Sequence, residues 1–195
     1  MTVQPIREKE KIADMKRWFR GQSLRDELLF TFGINVPLRI SDLLSFKIGE
    51  VIDERGRAID YYIDRTEKKT GKTKTLKISP KLRRLIENYI KTERPDADPN
   101  EYLFRSRKKN KDGEYVLTRI QAYRIIQRAA RACGINYSIG THTCRKTFGY
   151  HALRDGKATL PILQQLYNHS SQQDTLIYIG ITQDEIDEVM LTVDL

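Results

Sequence analysis

At 195 residues, 39% hydrophobic and 31% charged, the chain has the make-up of one globular domain, or at most two small ones, and not of a disordered polymer. No apolar run approaches the roughly 20 residues of a membrane span, and the opening MTVQPIREKEKIADMKRW lacks the apolar core of a secretory signal. The formal charge of +9 favours a polyanionic partner, and Cys133 and Cys144 show neither metal nor CxxC spacing, so a reducing, cytoplasmic setting is expected.

In chain order, Ile12, Met15, Trp18 and Phe19 fall on one face of an opening helix. LRDELLFTF predicts a second helix over 24–32, with Gly33 as its natural end. VPLRISDLLSF reads as a turn and a short helix beginning near Arg39. IGEVIDERGRAIDYYID predicts two strands around a turn at Asp53–Arg57, and EKKTGKTKTLKIS continues as a lysine-rich turn and a third strand. Ser79-Pro80 starts a helix striped by Leu82, Leu85, Ile86, Tyr89 and Ile90. RPDADPN and RSRKKNKDGE are loops. Thr118 and Gln121 have capping-box spacing at the head of a helix running to Gly134. Its Ala122, Ile125, Ile126, Ala129 and Cys133 face one way, with Arg124, Arg128 and Arg131 largely elsewhere. Further helices fill 141–180. The fold class is therefore α+β, mainly α-helical, with a small three-stranded antiparallel sheet. One domain covers 1–180, with its N-terminal helix inside 1–22, and 181–195 forms an acidic tail.

The positive charge is unevenly placed. Arg65 to Lys91 holds ten Lys/Arg against two acids, and Arg105 to Arg131 nine against two, while the last fifteen residues carry five acids and no base. Two concentrated basic stretches point to nucleic acid. Within the second, Arg105, Arg107, Lys108 and Lys109 are placed to track a duplex backbone, helped by Arg119, Arg124 and Arg128. Such contacts bind without reading sequence and weaken with salt.

THTCRKTFGYHAL sets His142 and Arg145 three residues apart in a helical context, so both project from one side. An imidazole beside a guanidinium suits a phosphate, because the planar Arg fork matches its oxygens. H-x-x-R alone is a weak signal. It gains force from its company: "LRISDL" (38–43), "KKTGKTKT" (68–75), "HTCR" (142–145), "NHSS" (168–171) and Tyr178, in that order. Together these resemble the ordered signature of the tyrosine recombinase, or phage integrase, family, over about Arg25 to Gly180.

The resemblance implies roles. Tyr178 would attack a scissile DNA phosphate to give a 3′-phosphotyrosyl link and a free 5′-hydroxyl. Arg39 and Arg145 would clamp the non-bridging oxygens, and Lys69 would protonate the leaving 5′-oxygen. His142 would act as base or hydrogen-bond partner toward Tyr178, His169 would bind the phosphate, and Asp42 would support the active site. Lys68, Lys72 and Lys74 crowd the same turn as Lys69 and read as phosphate contacts. The implied partners are double-stranded DNA and further copies of the chain assembled on it, with no membrane. No metal or other cofactor is implied: nothing resembles a P-loop, and no Asp/Glu cluster suggests a two-metal nuclease. Two other readings use the same scaffold, a non-catalytic DNA-binding regulator and a type IB topoisomerase-like enzyme.

Some features depart from the family pattern. Tyr167-Asn168 stands where the family usually shows Leu-Gly, and Asn tolerates the left-handed helix end that glycine otherwise supplies. Tyr167 thereby becomes a rival nucleophile, and spacing favours Tyr178. His151 has no role in the pattern, Cys144 reads as a small buried side chain, and Tyr61, Tyr62, Tyr89 and Tyr150 as core or sheet aromatics. Ile186, Val189, Met190 and Val193 make an apolar stripe in the tail, suited to docking on a neighbouring protomer or on its own domain. Only about 24 residues precede Arg25, too few for the N-terminal DNA-clamping domain of many relatives. Either a small stand-alone member or a fragment is expected, and the Met1 start favours the first. Finally, nine helical steps would put His169 and Tyr178 on opposite faces, about 13 Å apart along one axis. A break between them is expected, with His169 at a helix start capped by Ser170 or Ser171 and Tyr178 on a second short segment, or else delivery of Tyr178 when DNA binds.

Overall fold

Apolar stripes and capping residues place the helices. The structure, a computed structural model, describes residues 3–59, 62–66, 71, 73–182, 185, 187, 191 and 192, of which 62–66, 73 and 74 by their backbone alone. Among them run α1 (Lys9–Arg20), α2 (Leu24–Gly33), α3 (Ile40–Leu44), β1 (Tyr62–Thr66), β2 (Thr73–Lys77), α4 (Pro80–Glu93), α5 (Arg119–Ala132), α6 (Thr143–Arg154), α7 (Leu160–Tyr167) and α8 (Gln172–Ile179).

The main core is built around α2, which is buried on nearly all sides and contributes Leu28, Leu29, Phe30 and Phe32. Full burial of each such side chain stabilises by about 1.5–3 kcal/mol. α1 covers α2 with Met15 and Phe19, and Ile12 and Trp18 pack at the edge. α4 covers it with Leu82, Ile86 and Tyr89, after Ser79 caps the helix by accepting from Leu82 N at 3.3 Å. The expected capping box at α5 is present, Gln121 N donating to Thr118 Oγ1 and Thr118 N to Gln121 Oε1. Ala122, Ile125, Ile126 and Ala129 face inward from it, and Arg124, Arg128 and Arg131 outward.

Two expectations need correction. Gly33 does not end α2 in a left-handed turn but is its last helical residue. Its value is closeness: a Cβ there would lie 3.1 Å from Cβ of Cys144, where α6 crosses α2. The sheet, expected to have three strands, has two among the described residues, antiparallel, with Tyr62 opposite Lys77 and Thr66 opposite Thr73. Local bonds claim the segment assigned to the first strand. Ile48–Glu50 forms a 3₁₀ turn closed by Val51 and Ile52 N–H groups on Ile48 O. Asp53 then folds the chain back by accepting from Arg55 N and Arg57 N, leaving one bridge, Ile52 to Ala58.

Lys68, Lys69 and Lys72 lie outside the described residues, as do Tyr61 and the tail residues Ile186, Val189, Met190 and Val193. Lys74 is on β2, opposite Arg65 in register. The start of the tail meets its own domain, where Tyr150 donates its hydroxyl to Glu185 Oε1 at 2.9 Å.

A second, smaller apolar cluster forms where α6, α7 and α8 meet. It buries Leu163, Tyr167 and Ile179, with Phe148, Ala152, Leu166 and Tyr178 packed around them. Gly149 on α6 makes it possible, since a Cβ there would collide with the Tyr167 hydroxyl and lie 2.6 Å from Cγ2 of Ile179.

Candidate active site

Three helix ends converge on this cluster. His142 is the N-cap residue of α6, and Arg145 and Lys146 occupy the first turn, 3% and 6% exposed. Arg145 and Tyr167 lock each other in place. Arg145 Nη2 donates to the Tyr167 carbonyl at 3.1 Å, and the Tyr167 hydroxyl donates to the Arg145 carbonyl at 2.8 Å. The guanidinium sits 4.8 Å from the centre of the Tyr167 ring. Bidirectional bonding of this kind leaves little freedom to either side chain.

α7 ends at Asn168 in the left-handed conformation, φ 56° and ψ 48°, and among the described residues it is the one non-glycine with positive φ. The N–H of His169 closes the turn on the Gln164 carbonyl. Ser171 then caps α8 by accepting from Asp174 N at 3.0 Å, and Ser170 donates to the Asp174 carboxylate at 2.7 Å. The expected break between His169 and Tyr178 is therefore present, with Ser171 as the cap. His169 Nδ1 lies 3.1 Å from the hydroxyl of buried Thr175, which fixes the ring.

The bend brings Tyr178 beside the groups predicted to accompany it. Its hydroxyl is 3.2 Å from Nδ1 of His142. Its ring centre lies 5.0 Å from that of His169, 5.8 Å from the Arg145 guanidinium carbon and 5.2 Å from Lys146 Nζ. Arg39 is half-buried at the N-cap of α3, and its charge acts on both His142 and Tyr178. Asp42 is buried on the first turn of that helix. Arg39, His142, Arg145, His169 and Tyr178 thus share one site, while Lys69 lies outside the described residues.

The electrostatics divide the work. Desolvation, then the charges of Arg145, Arg119, Lys146 and Arg39, hold the His142 imidazole below its ordinary value. The neutral form is therefore favoured near pH 7, and its ring nitrogen without a proton can accept one. Burial holds the Tyr178 phenol above its ordinary value, opposed by Arg145 and Arg39. A phosphate between those cations and the phenol would meet a protonated hydroxyl with the imidazole beside it. Tyr167 is a different case: fully buried, pushed far up by that burial, and already donating its proton to a carbonyl. It is a structural residue. The thiol of Cys144 is likewise buried and pushed up to about 12, so it packs and does not react.

Sequence reasoning missed Lys146. Its one signal was adjacency to Arg145 in a helix whose first turn already carried two site residues. It also missed Tyr167 as the lock on Arg145.

A basic groove of about 870 Å³ lies between α2, α4 and α5, and it gathers Arg105, Arg107, Lys108, Arg124 and Arg128 with Arg25 and Arg94, which were not anticipated. Lys109 reaches this region by lying 5.4 Å over Tyr115. Arg119 stands apart, at the head of α5, where its charge reaches His142. Among the described residues no group of three or more His, Cys, Asp or Glu is placed to hold a metal, and no helix is long and apolar enough to cross a membrane.

Comparison with known proteins places this geometry. A solved XerH site-specific recombinase, bound to a palindromic difH substrate in a post-cleavage complex, superposes with a TM-score of 0.72 at 20% identity. The match covers 98% of this chain and 52% of that one. The fold is that of a tyrosine recombinase catalytic domain. A probable integrase/recombinase of Bacillus subtilis, YoeC, is 43% identical over 182 residues, covering 93% of this chain and 92% of the relative. Tyrosine recombinase XerA of Pyrococcus furiosus is 32% identical over 168 residues, covering 86% of this chain and 54% of the relative. The chain thus spans nearly all of the first relative and about half the length of XerA and XerH. The profile of the phage integrase family matches residues 7–185, and the chain belongs to that family.

Proposed function

We propose that this chain breaks and rejoins double-stranded DNA at specific sites through a 3′-phosphotyrosyl intermediate on Tyr178. In the forward step the Tyr178 oxygen attacks the scissile phosphorus, and its proton passes to Nδ1 of His142. The P–O5′ bond breaks, and Lys69 protonates the departing 5′-oxygen. Arg39 and Arg145 neutralise the two non-bridging oxygens as charge grows on them, usually the largest contribution to such a reaction. His169 donates to the same phosphate, and Asp42 supports the α3 turn that carries Arg39. A 5′-hydroxyl of the exchanged strand then attacks the phosphotyrosine, and Tyr178 leaves as it regains a proton. One phosphodiester is exchanged for another, so the balance needs neither ATP nor a hydrolytic metal.

The observation that most supports this reading is the 3.2 Å approach of the Tyr178 hydroxyl to a neutral His142, beside Arg145. The basic groove along α5 supports duplex DNA as the partner, with Arg105, Arg107, Lys108, Arg124 and Arg128 on its backbone; Lys68, Lys72, Lys74, Lys109 and Arg119 serve as further DNA contacts in this reading. In this reading residues 1–180 are one catalytic domain acting in the cytoplasm, several copies assemble on DNA, and the tail from 181 docks on a neighbouring copy or on its own domain.

The test is a nicked duplex carrying the end of the cognate mobile element, incubated with the protein and resolved under denaturing conditions. A covalent protein–DNA adduct is expected from the wild type and none from Tyr178→Phe. An adduct that persists in that variant removes Tyr178 from its role. Salt-sensitive binding with no adduct at any tyrosine would favour a regulator that does not cut.

A further inference from the structure

The segment ahead of α1 carries no chemical motif, yet it runs along the catalytic helix and ends on the helix that bears Tyr178. Gln4 N–H donates to the Ser138 carbonyl at 2.9 Å, and the Gln4 carbonyl accepts from Thr143 Oγ1 at 3.0 Å. Ile6 N–H donates to Thr147 Oγ1 at 2.9 Å, and the Ile6 carbonyl accepts from Nε2 of His151 at 2.9 Å. Thr143, Thr147 and His151 recur every four residues, so they line one face of α6 and hold the segment along it. The Ile6 side chain, 0% exposed, is inserted in the main core.

Beyond that anchor the segment reaches α8. Arg7 Nη2 donates to the Gly180 carbonyl at 2.7 Å, and its guanidinium lies 5.5 Å over the Tyr150 ring. Gly180 ends α8 in the left-handed conformation, φ 82°, and Ile181 N–H closes the turn on Leu176 O. A Cβ at Gly180 would lie 2.9 Å from Cδ of Pro5, so the segment presses directly on this turn. A cation is also favoured at a helix C-terminus, where carbonyls are left without helical donors. Tyr178 is two residues upstream, on a helix of only 8 residues that marginal local propensity would not keep intact.

We propose that residues 3–7 form a strap that positions the nucleophile: Ile6 anchors it in the main core, and Arg7 pins the C-terminal turn of α8, so that the Tyr178 hydroxyl stays within reach of His142. Arg7 touches no reacting atom and is a positioning residue. This rests on Tyr178 being the nucleophile. The strap fixes the end of α8 from outside the small cluster that α6, α7 and α8 share, which ties the catalytic tyrosine to the far larger core.

The test compares wild type, Arg7→Ala and Arg7→Lys at saturating nicked duplex carrying the cognate element end. Three quantities are read: the single-turnover rate of adduct formation, the affinity for the same duplex, and hydrogen exchange along residues 143–154 and 172–180. In Arg7→Ala the rate should fall roughly tenfold, as expected when an attacking group is displaced by a fraction of an ångström, with affinity held within about twofold. Faster exchange should be confined to 172–180. Arg7→Lys, which can still donate to the Gly180 carbonyl, should recover most of the rate. An unchanged rate in Arg7→Ala overturns the proposal, as does loss of rate in step with affinity, or faster exchange spread over the whole molecule. If instead the adduct persists in Tyr178→Phe, the nucleophile reading has failed, and the exchange pattern of α8 still reports whether Arg7 holds that helix.

Discussion

The two apolar clusters of this molecule differ in size and in what they carry. The cluster around α2 is large and continuous, and draws on α1 through α5. The cluster at α6–α8 buries little beyond Leu163, Tyr167 and Ile179, and it supports His142, Arg145, His169 and Tyr178. A large core makes a rigid platform, whereas a small one opens at lower free energy. Tyr178 thus sits where local rearrangement costs less than in the main core, and α6, packed on both clusters, carries Arg145 and Lys146. What limits rearrangement is a few directed contacts: the reciprocal Arg145–Tyr167 bonds, the Ser171 cap and the Arg7–Gly180 bond.

This contrast can be broken by substitution. The largest expected effect is in the main core, where Phe30→Ala should lower global stability by about 3–5 kcal/mol. Chemical denaturation followed at both regions should show them melting together in that variant. Gly149→Ala should have a smaller effect, roughly 1–3 kcal/mol, because the added methyl overpacks Tyr167 and Ile179. Its signature should be local. Hydrogen exchange should rise in α7 and α8 and the adduct should form more slowly, while α2 and α4 keep their protection; equal loss of protection in α2 would mean that the two clusters form one cooperative unit.

The smallest effect sharpens the chemistry. Because neighbouring cations and desolvation hold His142 below its ordinary value of 6.5, the imidazole is still neutral as the pH falls through that point. The single-turnover rate of adduct formation should therefore stay level through pH 6.5 and decline only at more acidic values, where protonated His142 no longer accepts. A rate that instead rises as the pH falls through this range would show that His142 works as a charged donor and not as the acceptor.

Much of this was legible in residue order. The stripes of α1, α4 and α5, the Ser79 cap and the Thr118–Gln121 box are interactions within one turn of helix, and the order of side chains fixes them directly. The break after Asn168 followed in the same way, from nine residues that one helix could not turn onto a single phosphate. The first of the three expected strands failed for a related reason: the Ile48–Glu50 3₁₀ turn is equally local, and it outcompeted the ladder expected ahead of the Asp53 turn.

Proximity across the chain was decided elsewhere. Nothing in the order of residues sets Ile6 against Thr147, 141 positions away, or Arg7 against Gly180. Nor does it show that Gly33 makes room for Cys144, that Tyr167 locks Arg145, or that Lys146 faces the Tyr178 ring. The sequence by itself determined which helices form and which side chains are candidates for the chemistry, because turns, caps and motif spacing are settled between near neighbours. The tertiary structure alone decided that Tyr167 is buried as the lock on Arg145 while the Tyr178 hydroxyl faces His142, because burial and aim depend on how separate elements close-pack.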